Sequence, residues 1–165
     1  MIDGCGEKLQ FKLDGWRAEY RELRCDEAGP PLRDVVRVYW RGLDLISRMH
    51  DELEQLRDGI VPATARFSQV GGRKSNPSDP TGDTAVKIDI LSREIDEMVS
   101  DVDCLEVSIR WGITYMVDSR KEREICTMRW LEHLPYLDIG QEAGYSEGYC
   151  RSVVSKAGKQ STHMG

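Results

Sequence analysis

The stretch Tyr136–Ser155, YLDIGQEAGYSEGYCRSVVS, decides how this chain is read. Two short apolar patterns meet at a glycine: Ile139, Gly140 and Ala143 before Gly144, then Cys150 and Val153 after Tyr145 and Ser146. Helices that cross steeply need a small residue where they touch, which Gly140 supplies, and Gly144 can take the positive φ of a tight turn. Ser146 is placed to cap the second helix, its hydroxyl accepting from an amide that the first turn leaves without a partner. The spacing predicts a helix-turn-helix whose second helix, Glu147 to about Lys159, lies on the outside.

In a DNA reader of this form the outer helix enters the major groove. Arg151 is the candidate base contact, because a guanidinium can bond two acceptors on a guanine edge. Ser146, Ser155, Lys156 and Lys159 are candidate phosphate contacts, and Glu147, Gly148, Tyr149 and Ser152 complete the exposed face. The same ingredients recur in helical proteins that bind no nucleic acid, so the surrounding sequence has to add weight.

Immediately upstream, Ser119-Arg120-Lys121-Glu122 has the form of a capping box, predicting a helix from Arg120 to Leu131 with Ile125, Met128 and Trp130 turned inward. His133-Leu134-Pro135 ends it. Residues 118–160 therefore read as three short helices around one small core, followed by a tail at 161–165.

Further upstream the pattern is heptad. Leu32, Tyr39, Ile46 and Leu53 form one series and Val35, Gly42, Met49 and Leu56 the other, on a helix of about 26 residues. A second seam follows, with Ile88, Ile95, Val102, Ile109 and Met116 in one series and Leu91, Met98 and Leu105 in the other. The fold class expected is all-α: a long antiparallel, coiled-coil-like hairpin over residues 32–117, then the three-helix head. Between the seams, residues 58–83 read as a long Gly/Pro-rich loop. Its Gly72-Arg73-Lys74-Ser75 is not a phosphate-binding loop, since glycines are missing at the required places and no strand precedes it. Residues 1–31 hold one amphipathic segment, about Gly15–Cys25, started by Asp14. The narrow seams predict a homodimer or higher oligomer, and leave open whether the hairpin closes within one chain.

Composition is permissive. The chain has 165 residues, 39% hydrophobic and 32% charged, with a net charge of −6 and no apolar run of membrane-spanning length. Residues from Asp118 onward carry seven basic and seven acidic side chains, so the acidity lies in the first 117 residues, and no acid follows Glu147. The outer helix is thus locally positive. Cys5, Cys25, Cys104, Cys126 and Cys150 are widely spaced, which predicts reduced thiols without a zinc site. His50, His133 and His163 are scattered, and Asp101 and Asp103 diverge on a helix, so no catalytic residue, metal site or cofactor is expected and the chain reads as a non-enzyme.

The residues Glu122-Arg123-Glu124-Ile125, Trp130-Leu131, Leu134, Tyr136, Ile139, Gly144-Tyr145-Ser146 and Val153 resemble region four of bacterial sigma factors. They resemble more closely the sigma-like phage late transcription regulators of the ArpU and RinA type. That family also has a heptad-rich helix, a Gly/Pro/Ser loop, a second long helix beginning near Ala85 and a C-terminal reader. It usually carries alanine where Gly140 stands. The resemblance implies a phage or prophage transcription regulator in the cytoplasm of a bacterial host, binding double-stranded DNA, with RNA polymerase as a candidate further partner, without catalysis. Two alternatives stand beside it: a small terminase-like subunit that recognises DNA for packaging, and a sigma-like module that grips RNA polymerase or another protein.

Overall fold

The computed structural model describes residues 3–64 and 80–162, with side chains described over 8–59 and 82–162. The fold is all-α, six helices with no strand among the described residues: α1 (Asp3–Cys25), α2 (Leu32–Thr64), α3 (Pro80–Met116), α4 (Arg120–Trp130), α5 (Tyr136–Ala143) and α6 (Glu147–Ala157). None of the described helices is long and apolar enough to cross a membrane.

The two heptad series place one apolar stripe on each long helix, and the stripes face each other. Gly112 lies against Leu32, the Tyr39 hydroxyl is 3.4 Å from the Glu106 carboxylate, and Gly42 lies against Val102, so α2 and α3 run antiparallel. Every seam position on α2 is buried or half-buried, and so is each on α3 from Ile88 to Met116. The seam is therefore covered within a single chain. Gly42 sets the closest approach: a Cβ there would stand 2.6 Å from Val102 Cγ2 and 3.1 Å from the Trp16 ring.

Trp16 belongs to α1, whose Leu13, Trp16 and Tyr20 fill the groove beside that crossing. Trp16 is fully buried, stacks on Tyr20 at 5.3 Å, and donates from Nε1 to the Val38 carbonyl at 2.8 Å. The helix begins at Asp3, so the segment expected from Gly15 with Asp14 as its start is only its second half. Asp14 instead accepts from Gln10 one turn back. Before Leu13 the described side chains include only Leu9 packed against the core, while Lys8, Gln10, Phe11 and Lys12 are exposed, so the apolar spacing that marks the second half is weak there.

Both long helices also outrun the expected loop boundaries at 58–83. α2 continues to Thr64, and α3 starts at Pro80, a residue that fits a helix start because it needs no amide partner there. α3 runs unbroken through Asp101 and Asp103. The remainder of that loop, including Gly71-Gly72 and Arg73-Lys74, lies outside the described residues.

α4, α5 and α6 pack pairwise and share one continuous core with the long helices. Ile125, Cys126 and Trp130 of α4, Ile139 of α5, and Cys150, Val153, Val154 and Ala157 of α6 are buried. Met128 is half-buried. The capping box does not form: Ser119 stands at the N-cap without a side-chain cap bond. Arg123 holds the connection instead, donating from Nε to the Val117 carbonyl at 2.6 Å and from its terminal nitrogen to Asp118 at 3.1 Å.

Of the segment expected as a tail, Ser161 and Thr162 are described, and they belong to a strap formed by residues 158–162. They run back along the junction of α1 and α2, with an antiparallel bridge between Pro31 and Ser161. Leu32 N donates to the Gln160 carbonyl at 2.8 Å, Arg33 N to Gly158 at 3.0 Å, and Thr162 N to Pro30 at 3.0 Å. The first amides of a helix have no intrahelical partner, so this strap caps α2 with backbone rather than with a side chain. Thr162 is 1% exposed, and its hydroxyl donates to the Ser108 carbonyl of α3 at 3.3 Å.

Candidate nucleic-acid interface

The turn between α5 and α6 follows from three residues. Gly144 takes φ +74°, a left-handed conformation that favours glycine, and the Tyr145 amide closes the turn on the Gly140 carbonyl at 3.0 Å. A Cβ on Gly140 would stand 2.8 Å from the Tyr145 carbonyl oxygen, a backbone atom that cannot swing aside. This turn is tighter than one that accommodates alanine, the residue that the resemblance places there. Ser146 caps α6 as expected, its Oγ accepting from Tyr149 N at 3.2 Å.

α6 is divided cleanly. Cys150, Val153, Val154 and Ala157 are buried, while Glu147, Gly148, Tyr149, Arg151, Ser152, Ser155 and Lys156 are exposed. All the helical positions assigned to the outer face are on it. Lys159 is the exception in place: α6 ends at Ala157, so Lys159 sits in the strap, exposed, beyond the helix. The backbone turns there because the Gly158 and Gln160 carbonyls are engaged by α2.

Arg151 is the most constrained cation on this face. Its Nε and one terminal nitrogen both donate to Glu147 Oε1, at 3.1 and 2.5 Å, and its guanidinium lies 5.0 Å from the Tyr136 ring centroid. Glu147 pushes the guanidinium further above its ordinary pKa, chiefly through those hydrogen bonds. A guanidinium has five N–H donors, and Glu147 engages two of them on one side. The remaining edge, one N–H from each of the two terminal nitrogens, points clear of Glu147, and those two parallel donors are the fork needed for a bidentate contact.

Behind Arg151 is a chain of ring contacts that the sequence reading did not single out. Arg129 of α4 lies 4.7 Å from the Tyr136 ring and 4.9 Å from the Trp40 ring, and donates to the Leu134 carbonyl at 3.1 Å. Trp40 of α2 in turn donates to the Trp130 carbonyl at 3.0 Å. His133, at φ +60°, packs its ring near Trp40 and Tyr39. A second group was also missed: the Tyr145 and Tyr149 rings meet tilted at 4.9 Å, and Lys121 Nζ lies 5.7 Å from the Tyr145 ring, whose hydroxyl raises the Lys121 pKa. The i,i+4 spacing of Tyr145 and Tyr149 was visible, but Lys121 reaches them only through the fold.

Four cysteines are free thiols, Cys25 and Cys104 exposed, Cys126 and Cys150 buried; burial pushes the Cys126 thiol up to about 12. Among the described residues no group of His, Cys, Asp or Glu is arranged to hold a metal ion. His50 is exposed on α2, and His163 lies outside the described residues.

No family model, no curated protein and no solved structure matches this chain.

Proposed function

We propose that this chain is a sequence-specific DNA-binding transcription regulator of the phage late-gene type, reading the major groove with α6 and catalysing no reaction. One observation carries the reading: α6 turns its apolar residues inward and presents Arg151, anchored yet with a free donor fork, on its outer face. A capped start, a tight glycine turn and a buttressing helix are what a groove-inserted helix requires. Arg151 supplies a guanine contact. Ser146, Ser155, Lys156 and Lys159 bond phosphates, and Glu147, Tyr149 and Ser152 shape the surface between them. Lys121 of α4, beside the Tyr145 ring, adds a further cation near this face.

The test is selection of duplexes from a random pool, followed by titration of the enriched sequence. An enriched motif containing guanine is expected, with Arg151→Ala losing discrimination at one base pair by about 1–3 kcal/mol. Lys156→Ala weakens binding to all sequences and lowers the slope of log affinity against log salt by about 0.9. No retained DNA even at about 50 mM salt, where phosphate contacts are strong, refutes the proposal.

A further inference from the structure

α2 opens with a cation that its own helix does not explain. Arg33 stands in the first turn, where a positive charge opposes the helix dipole, and its side chain is 64% exposed. Its one ion-pair partner among the described residues is Asp34, at 4.0 Å, and Asp34 lies closer to Arg37, at 3.4 Å. The strap fixes where this guanidinium starts from. Arg33 N donates to the Gly158 carbonyl at 3.0 Å, and a Cβ on Gly158 would stand 3.1 Å from the Arg33 Cβ. Gly158 keeps a helical conformation, and its amide still bonds the Val154 carbonyl at 2.9 Å. It therefore lies about two turns after Arg151 on the same edge of α6. At that position α6 has no side chain of its own, and α2 supplies one.

We propose that Arg33 is a phosphate contact, extending the surface that binds duplex DNA from α6 onto the start of α2. The inference rests on α6 reading the major groove. Along this edge Glu147 is held by Arg151 and Asp34 by Arg37, which leaves Arg33 as the least compensated charge. Lys156 in the last turn of α6 and Lys159 in the strap are exposed, and no acid follows Glu147 in the sequence. The C-terminal end of α6 is thus cationic from two sides. A groove about 12 Å wide holding a helix about 10–12 Å across brings phosphates against the flanks and ends of that helix. A guanidinium matches a pair of phosphate oxygens, and α2 is a rigid base for it, since the Arg33 amide is tied to Gly158 and the neighbouring Leu32, Val35 and Val36 are buried. Phosphate contacts set register and carry no base information. In this arrangement Arg33 fixes how α6 sits in its groove, and Arg151 chooses the base.

Titration of the selected duplex between about 50 and 200 mM salt tests the assignment. Arg33→Gln leaves the backbone bond to Gly158 in place. It is expected to lower the slope of log affinity against log salt by about 0.9, so that its affinity falls about 3.5-fold less than that of the wild type across that range. Its preferred base pairs are expected to be those of the wild type. Arg33→Lys is expected to keep the wild-type slope, and Arg48→Gln, about 22 Å further along α2, to leave binding unchanged. Duplexes with single phosphates replaced by neutral methylphosphonates locate the contact. One replacement, outside the base pairs whose preference Arg151→Ala relaxes, is expected to weaken the wild type and to leave Arg33→Gln unaffected. A wild type that reads its sequence, with a slope and phosphate profile that survive Arg33→Gln, overturns this inference and leaves the role of α6 standing. A changed base preference in Arg33→Gln overturns it as well, since Arg33 would then touch a base edge. A wild type that retains no duplex overturns both.

Discussion

Removing residues 159–165 isolates the contribution of the strap. Besides the local bonds from the Lys159 and Gln160 amides back to α6, the deletion takes away three hydrogen bonds that tie the strap to the rest of the bundle: Leu32 N to the Gln160 carbonyl, Thr162 N to the Pro30 carbonyl, and the Thr162 hydroxyl to the Ser108 carbonyl. The bond from Arg33 N to Gly158 survives. Each lost bond is worth about 1 kcal/mol net, because the freed groups near the end of the bundle become hydrated rather than stranded. Uncovering Leu32, 0% exposed in the intact fold, adds part of a leucine's burial, about 1 kcal/mol. The sum is about 3–4 kcal/mol. For a chain of this size it corresponds to a fall in Tm of about 6–16 °C. Thermal unfolding followed at 222 nm measures it, with Thr162→Val as the companion that keeps the volume and removes only the hydroxyl bond, expected to cost about 1 kcal/mol. A truncated chain melting within about 2 °C of the wild type would refute the capping argument, since even one such bond is expected to shift Tm by more.

Three other outcomes follow from named contacts. Gly42→Ala gains about 1 kcal/mol of helix propensity but forces a methyl against Val102 and the fixed Trp16 ring, an overpacking cost of about 1–3 kcal/mol, so urea unfolding is expected to show net destabilisation. Glu147→Gln removes an acid from the proposed DNA face and also loosens Arg151. Titration is expected to show tighter binding to non-specific duplex and a smaller ratio of specific to non-specific affinity; an unchanged or larger ratio counts against the anchoring role. Tyr20, its pKa raised to about 12 first by burial and then by Asp101, stays protonated in the fold when the unfolded chain ionises near 10. Its stabilising contribution is therefore complete below about pH 10 and is lost as pH rises towards 12, so denaturant midpoints are expected to fall across that window, and less steeply in Tyr20→Phe.

Periodicity made most of the architecture readable. The seams on α2 and α3 were legible because burial repeats every seven residues, and the inner face of α6 because Cys150 and Val153 repeat at helical spacing. What escaped were contacts without a period. In α1, Lys8, Gln10 and Lys12 are polar and exposed, and Leu9 alone continues the apolar spacing one turn before Leu13, too little to mark a helix there. The Ser119 capping box has the right residue types yet makes no cap bond, and the connection is held instead by Arg123 on the Val117 and Asp118 carbonyls, a contact five and six residues back that no spacing rule marks. The strap depends on backbone groups of Gly158 and Gln160, which every residue possesses and which leave no signature in side-chain pattern. At the candidate interface the exposed residues of α6 were legible one by one. The Trp40–Arg129–Tyr136–Arg151 succession was not, because it joins α2, α4, α5 and α6 across more than a hundred residues of chain.

The strap also has a consequence in time. Leu32 and its partner Gln160 are separated by about 130 residues, and a ribosome adding about 5–20 residues each second needs roughly 6–26 s to cover that distance. The long helices emerge in that interval with the start of α2 still uncapped and the Leu32 end of the seam still open. Completion of the bundle is thus coupled to synthesis of the segment that follows α6, and a stall between residues 117 and 158 leaves a nascent hairpin with one frayed end, a form that exposes apolar surface to chaperones.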